Sequence, residues 1–213
     1  MVEHSTSITY LEHFQVTPKR KRILMRLGYQ ENQTVLADEQ AKFLDQAIKQ
    51  GLLLCHGKGA FGRFKIATHD ATVTTLENGV RFESALLAKM LAGSDEMVLM
   101  ASTVGAEITE RISFETTKGD AKLGVILDAV ASQTADAGLD FMGPIVNGLL
   151  RKEAKRLTRK RFSPGYGDLS IAHQQIIFDL LGLERLGLHL TKTMMLVPEK
   201  SVLAIMGIEG IKS

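Results

Sequence analysis

Residues 120–141, DAKLGVILDAVASQTADAGLDF, place Leu123, Leu127, Val130 and Thr134 three or four residues apart. That spacing predicts one long helix with a continuous stripe facing a core. Two apolar runs of strand length, MVLMAST (97–103) and SVLAIMGI (201–208), supply a surface for such a helix to cover. A long helix beside buried strands excludes an all-α and an all-β chain. Gly143-Pro144 follows the stripe and is expected to kink or restart the helix.

The remaining elements read as follows. Thr17 and Pro18 read as an N-cap and first-turn proline, opening a helix through KRKRILMRL that stops at Gly28. A second helix fits 38–50, with Asp38 at its start, Gly51 past its end and Phe43, Ala47 and Ile48 on one face. LLLCH (52–56), FKIAT (64–68) and ATVTTL (71–76) read as strands, and Glu77-Asn78-Gly79 carries hairpin-turn residues. Ser84 opens a short helix, SALLAKML, closed by Gly93, and Gly105–Thr117 reads as another. RKEAKRL (151–157) and Ile171–Leu181 also read as helical. LTKTMML (190–196) and SVLAIMGI read as two strands joined at Val197-Pro198-Glu199-Lys200. Strands and helices do not alternate strictly. The class is α+β, with a mainly antiparallel sheet and helices packed against it, and residues 1–213 are read as a single domain.

Composition narrows the function classes. A net charge of +2 gives no global signal for nucleic acid or an anionic membrane. The basic run RKEAKRLTRKR (151–161) reads as a solvated face, because Glu153 interrupts it and no aromatic residues interleave as a stacking platform needs. No run of 18 apolar residues argues for a spanning helix, and the first residues carry acids where a secretory signal would be apolar. Cys55 is the only cysteine, so an internal disulfide is impossible and a cytoplasmic location is expected. The histidines at 4, 13, 56, 69, 173 and 189 form no metal-ligand spacing, and no G-x-S-x-G occurs. No metal site and no catalytic residue is expected. Gly57, Gly59 and Gly62 match G-x-G-x-x-G, but the flank FKIAT is strand-like. A phosphate cradle needs a helix N-terminus there, so the segment is expected to be a mobile hairpin loop.

RFSPGYGD (161–168) has neither helical period nor strand alternation. One reading is a proline turn with Tyr166 half-buried. The other is a ligand cradle. Arg161 can fork two N–H groups onto a carboxylate. Ser163, before Pro164, is held extended with its polar groups exposed. Gly165 admits close approach to the main chain. Tyr166 offers a π face to a positive centre. An amino acid bearing a sulfonium fits that set.

The segment resembles the R-x-x-x-G-Y motif of the activation domain of cobalamin-dependent methionine synthase, which binds S-adenosylmethionine. The chain looks most like free-standing proteins related to that domain. SALLAKMLAGSDEMVLMASTVGAEI (84–108), the helix from Asp120, Gln174, Leu190-Thr191 and MLVPEKSVLAIMGI (195–208) carry the likeness, which is densest over 84–213 and looser over 1–83. The resemblance implies S-adenosylmethionine as ligand, held by Arg161, Ser163, Gly165, Tyr166 and Asp136. Asp136 stands where relatives carry a glutamate. It implies reactivation of cobalamin carried by a separate corrinoid protein, or by a methionine synthase lacking its own activation domain. A flavodoxin or ferredoxin would donate the electron. The chain would then contribute to methyl transfer from S-adenosylmethionine to cob(I)alamin. The alternative is a non-catalytic interaction or assembly subunit of a corrinoid methyltransferase system that has lost strong ligand binding.

Overall fold

The computed structural model describes residues 7–30 and 36–211. In chain order the elements are β1 (Ile8–Phe14), α1 (Arg20–Arg26), α2 (Asp38–Leu53), β2 (Gly57–His69), β3 (Val73–Leu76), β4 (Arg81–Glu83), α3 (Ala85–Leu91), β5 (Glu96–Thr103), α4 (Ala106–Thr117), α5 (Ala121–Leu150), β6 (Lys155–Leu157), α6 (His173–Leu181), β7 (His189–Leu190), β8 (Leu196–Val197) and β9 (Ser201–Gly210). The main sheet runs β4-β3-β2-β5-β9-β6, with β1 on the same edge of β2 as β3. Every pairing is antiparallel. The α+β class expected from the sequence is the class found.

Strand β5 shows why the sheet is covered on both faces. All eight of its residues are buried. Met97, Leu99 and Ala101 point into one core with α3 and α6, through Leu87, Leu91, Ile177 and Phe178. Val98 and Met100 point into another with Leu139, Met142 and Val146 of α5. The period-2 alternation of a strand therefore serves two apolar layers. On its outer side α5 packs Ile126, Ala129 and Val130 against Ile23 of α1 and Leu44 and Ala47 of α2.

Helix α5 begins where the sequence places it: the Asp120 carboxylate accepts hydrogen bonds from the N–H groups of Lys122 and Leu123. It does not break at Gly143-Pro144 but continues to Leu150. Met142, Val146 and Leu150 are buried against the sheet on both sides of the proline, and this packing holds the backbone helical past the missing N–H.

Other boundaries move for equally local reasons. Lys19, not Thr17, occupies the N-cap of α1. Gly51 lies inside α2, where a Cβ would come within 3.0 Å of Val130 Cγ1, so this glycine marks a close helix crossing and not a stop. LLLCH is no strand: α2 runs to Leu53, and Leu54 and Cys55 turn against the α4–α5 core. RKEAKRL is no helix. After α5 a single 3₁₀ turn ends at Ala154, which takes left-handed φ 53°, and β6 then joins β9. Three of its charges are paired. Glu153 accepts from Arg63 at 2.6 Å, Lys155 donates to Glu96 at 2.9 Å, and Arg156 donates to Glu209 at 2.9 Å. LTKTMML splits into β7 and β8 around a turn in which Met194 has φ 62°.

HGKGAFG is the clearest correction. Gly57 opens β2 opposite Phe14 of β1, Gly59 and Gly62 lie inside it paired with both β1 and β5, and the three form neither a hairpin tip nor a glycine loop. Their missing side chains are filled by neighbours: a Cβ on Gly57 would meet Phe14 at 2.5 Å, one on Gly59 Met142 Sδ at 2.9 Å, and one on Gly62 Ile8 Cδ1 at 2.4 Å. Across the sheet, a Cβ on Gly138 of α5 would meet Ser102 Oγ at 2.1 Å and Phe14 Cζ at 2.9 Å.

Gly138→Ala is therefore expected to destabilise the fold by about 1–2 kcal/mol, the overpacking cost net of alanine's better helix propensity. Gly148→Ala, in the same helix but with open space at its Cβ position, should gain up to about 1 kcal/mol. Urea unfolding of the two variants decides between a packing role for Gly138 and a neutral one, since propensity alone would make both stabilising.

Candidate functional site

The RFSPGYGD segment is anchored at both ends by ordinary backbone chemistry. Phe162 exchanges two hydrogen bonds with Ile205 of β9, at 2.9 and 2.7 Å. The Ser163 hydroxyl donates to the Leu203 carbonyl at 2.6 Å. Tyr166 N–H returns to the Ser163 carbonyl at 3.2 Å, and Gly165 N–H reaches the Leu169 carbonyl at 2.8 Å, closing a compact turn. Gly165 has φ 88° and Gly167 φ 56°, a backbone region in which other residues are strained.

Asp168 fixes the far end. Its carboxylate accepts from the Ser84 hydroxyl, from Ala85 N–H at 2.7 Å and from Leu86 N–H at 3.2 Å, all at the start of α3. The Ser84 hydrogen bond, with those from Leu86 and Ala85, holds the Asp168 carboxyl below its ordinary pKa despite partial desolvation. Ser84 itself caps α3 by accepting from Leu87 N–H at 3.0 Å. The sequence marks Ser84 as a cap; it does not mark Asp168 as the clamp that joins that cap to the loop.

The segment forms one wall of a cavity of about 700 Å³. Asp136 and Leu139 of α5, Gln174 of α6, and Val202 and Leu203 of β9 supply other walls. The five residues singled out from the sequence, Asp136, Arg161, Ser163, Gly165 and Tyr166, thus come together around one space. A volume of this size accommodates a nucleoside-sized molecule.

Their states differ from the sequence expectation in three ways. Arg161 is already engaged: Nη2 donates to Asp136 at 3.0 Å and Nη1 to Asp140 at 2.9 Å. Asp140 also accepts from Arg22 of α1 at 2.8 Å, so the fork is tied into a chain of charges reaching the outer helix layer. The Ser163 hydroxyl is spent on the Leu203 carbonyl of β9, so it is not free as the sequence suggested. Tyr166 is not half-buried but 70% exposed, standing at the cavity's rim. Sequence reasoning missed Asp140 as a partner of Arg161, although its i, i+4 relation to Asp136 puts both on one helix face.

Gln174 was legible in the sequence only through the family likeness. Its side-chain oxygen is buried at the cavity wall without a hydrogen-bond partner. Among the described residues no group of three or more His, Cys, Asp or Glu could hold a metal ion, and no helix is long and apolar enough to cross a membrane. His4 lies outside the described residues.

No family profile matches the sequence, and no curated protein matches it. Among solved structures, the chain is similar to the MetH reactivation domain bound to AdoHcy, at 14% sequence identity and a TM-score of 0.70, over 96% of this chain and 79% of that one. The shared property is the fold: an antiparallel sheet with helices packed on it.

Because the Asp168 carboxyl is held below its ordinary pKa, its contribution to stability is present above the unfolded value of about 3.9 and is lost as pH falls through the folded one. Asp168→Asn should lower the thermal midpoint at neutral pH and speed hydrogen exchange at Ala85 and Leu86. The gap from wild type should close below about pH 4. A gap that persists unchanged at pH 3 would mean the carboxylate's charge is not what holds the loop.

Proposed function

We propose that the cavity beneath RFSPGYGD binds S-adenosylmethionine, and that the chain presents it to cobalamin carried by a separate corrinoid protein. One observation carries the reading. The motif residues and Asp136 line a single nucleoside-sized cavity, in a fold shared with a domain whose structure was solved with AdoHcy bound. The chemistry served is transfer of the sulfonium methyl to reduced cobalt on the partner, with the electron supplied by a flavodoxin- or ferredoxin-type donor. The partner would be a methionine synthase without its own activation domain or another corrinoid methyltransferase component.

This chain's own residues bind and orient. Arg161 takes the ligand carboxylate in its fork, which requires it to release Asp140, Asp136 or both. Asp136, once free, receives the ligand ammonium or a ribose hydroxyl. Gly165 allows the ligand against the main chain, and the Tyr166 ring closes over the positive sulfur. No side chain is needed as acid or base, because the methyl transfer moves no proton.

A second reading keeps the fold and loses the ligand: an assembly subunit of a corrinoid methyltransferase system. The observation favouring it is the Arg161 fork, already closed on two carboxylates.

Calorimetric titration with S-adenosylmethionine separates the two. Binding is expected in the micromolar range or weaker, because the ligand carboxylate must displace an existing ion pair. Arg161→Ala should weaken it by roughly tenfold to a hundredfold, the equivalent of about 1.5–3 kcal/mol for a charge-assisted pair. Asp140→Asn, which removes one competitor for the fork, should tighten it. Tyr166→Phe should cost less than Tyr166→Ala, since the ring supplies the contact. Absence of heat with the folded wild type selects the assembly subunit.

A further inference from the structure

Helix α1, RKRILMR, is seated on the outer side of α5 by the buried Ile23, and its arginines reach aspartates on the helices around it. Arg20 donates to Asp45 of α2 at 2.9 Å, and Arg26 faces Asp128 of α5 at 3.8 Å. Neither aspartate lines the cavity beside RFSPGYGD. Arg22 differs in what lies behind its partner. Asp140 divides its carboxylate, Oδ2 accepting from Arg22 at 2.8 Å and Oδ1 from Arg161 at 2.9 Å. The second arm of Arg161 goes to Asp136 at 3.0 Å. Arg161 and Asp136 line the cavity, whereas Arg22 and Asp140 do not. The charges thus alternate from the outer helix layer to the cavity wall, Arg22, Asp140, Arg161 and Asp136, and they balance.

The outermost charge decides what happens at the innermost. Without Arg22 a single guanidinium would stand between two carboxylates, and the group would repel an arriving anion. An anion that drew Arg161 away would also leave Asp140 without a cation. Arg22 lowers both costs, because it balances the charge and keeps hold of Asp140 when Arg161 lets go. Arg22 and Asp140 are each 47% exposed along their side chains, so water and salt weaken their influence and the effect is modest.

We infer that Arg22 is a positioning residue for the cavity: standing outside it, Arg22 holds Asp140 and so makes Arg161 available to an anionic group of the ligand. The inference rests on the reading of this cavity as an S-adenosyl ligand site in which Arg161 takes the carboxylate. It gives α1, which supplies no residue to the cavity wall, a part in setting affinity.

The test is a double-mutant cycle read by calorimetry with S-adenosylhomocysteine, using wild type, Arg22→Gln, Asp140→Asn and the double variant. Arg22→Lys and Arg26→Gln stand beside them, and every variant is checked for folding by circular dichroism and thermal midpoint. Relative to wild type in the same buffer, Arg22→Gln should weaken binding about fivefold in about 20 mM salt and less than about twofold in about 0.5 M salt, where exposed charges are screened. In the Asp140→Asn background the same change should cost less than about twofold, because the carboxylate through which it acts is gone. Arg22→Lys keeps the charge and should keep most of the affinity. Arg26→Gln removes a comparable ion pair from the same helix and should bind as wild type does. Unchanged affinity in Arg22→Gln overturns the inference while leaving the S-adenosyl site in place. A loss that Arg26→Gln reproduces, that Arg22→Lys does not rescue, or that persists in high salt or with Asp140→Asn does the same, and would mean that α1 acts through packing alone. If folded wild type takes up no S-adenosylhomocysteine, the site reading fails and this inference falls with it.

Discussion

The contact on which the rest of the molecule depends is the close approach of α5 to the middle of the sheet. Two glycines make it: Gly138 on the helix, over Ser102 and Phe14, and Gly59 on β2, under Met142. Without a side chain at either point the helix backbone sinks onto β2 and β5, and Leu139, Met142 and Val146 interlock with Phe61, Val98 and Met100. Dense packing of this kind leaves little freedom for the helix to slide or rotate. Asp136 and Asp140 flank Gly138 two residues to either side, one turn from each other, so their carboxylates are presented toward Arg161 by a rigid support. The glycine pattern that looks from sequence like a nucleotide loop thus serves the cavity indirectly, by fixing the helix that forms one of its walls.

The opposite wall is a loop made rigid by hydrogen bonds. Phe162 and Ser163 are sewn to β9, Asp168 clamps the start of α3, and α6 follows almost at once. The cavity therefore lies between elements that are each fixed to the same sheet. Ligand-facing geometry held by strands and helix ends needs less ordering on binding than a free loop would. Tyr166 is the exception, exposed at the rim with room to move.

How much of this was legible in the sequence depends on whether the signal was local. The 120–141 stripe, the Ser84 cap, the Asn78-Gly79 turn and the MVLMAST strand are written in adjacent residues, and each is found. The errors share one cause: a residue was read by its local habit where a distant neighbour decided the matter. Gly51 reads as a stop until Val130 is placed against it. Pro144 reads as a break until Met142, Val146 and Leu150 are buried around it. RKEAKRL reads as a helix until Arg63, Glu96 and Ile208 offer it a strand's place at the sheet edge. That Arg161 to Tyr166 would group together was legible because the motif is contiguous. Their partners were not, because Asp140, Leu203 and the start of α3 come from far along the chain.

The state of Arg161 sets the energetics of whatever binds. On the S-adenosylmethionine reading, exchanging one carboxylate for another at the same guanidinium leaves the number of charge-assisted hydrogen bonds unchanged, so the ligand gains less there than from an open fork, whereas removing Arg161 would leave the ligand's carboxylate facing two aspartates that have lost that partner. Any released aspartate must find a new donor, such as the ligand ammonium or water, and Asp140 has Arg22 in place for this. On that reading the Arg161–Asp136 pair would chiefly orient the ligand, matching a zwitterion's two charges to a pair that already exists. On that reading affinity comes mainly from the uncharged remainder, the apolar area on Leu139, Ile171 and Val202 and the Tyr166 ring. In such a site selectivity among ligands that share an amino-acid end is decided at the other end.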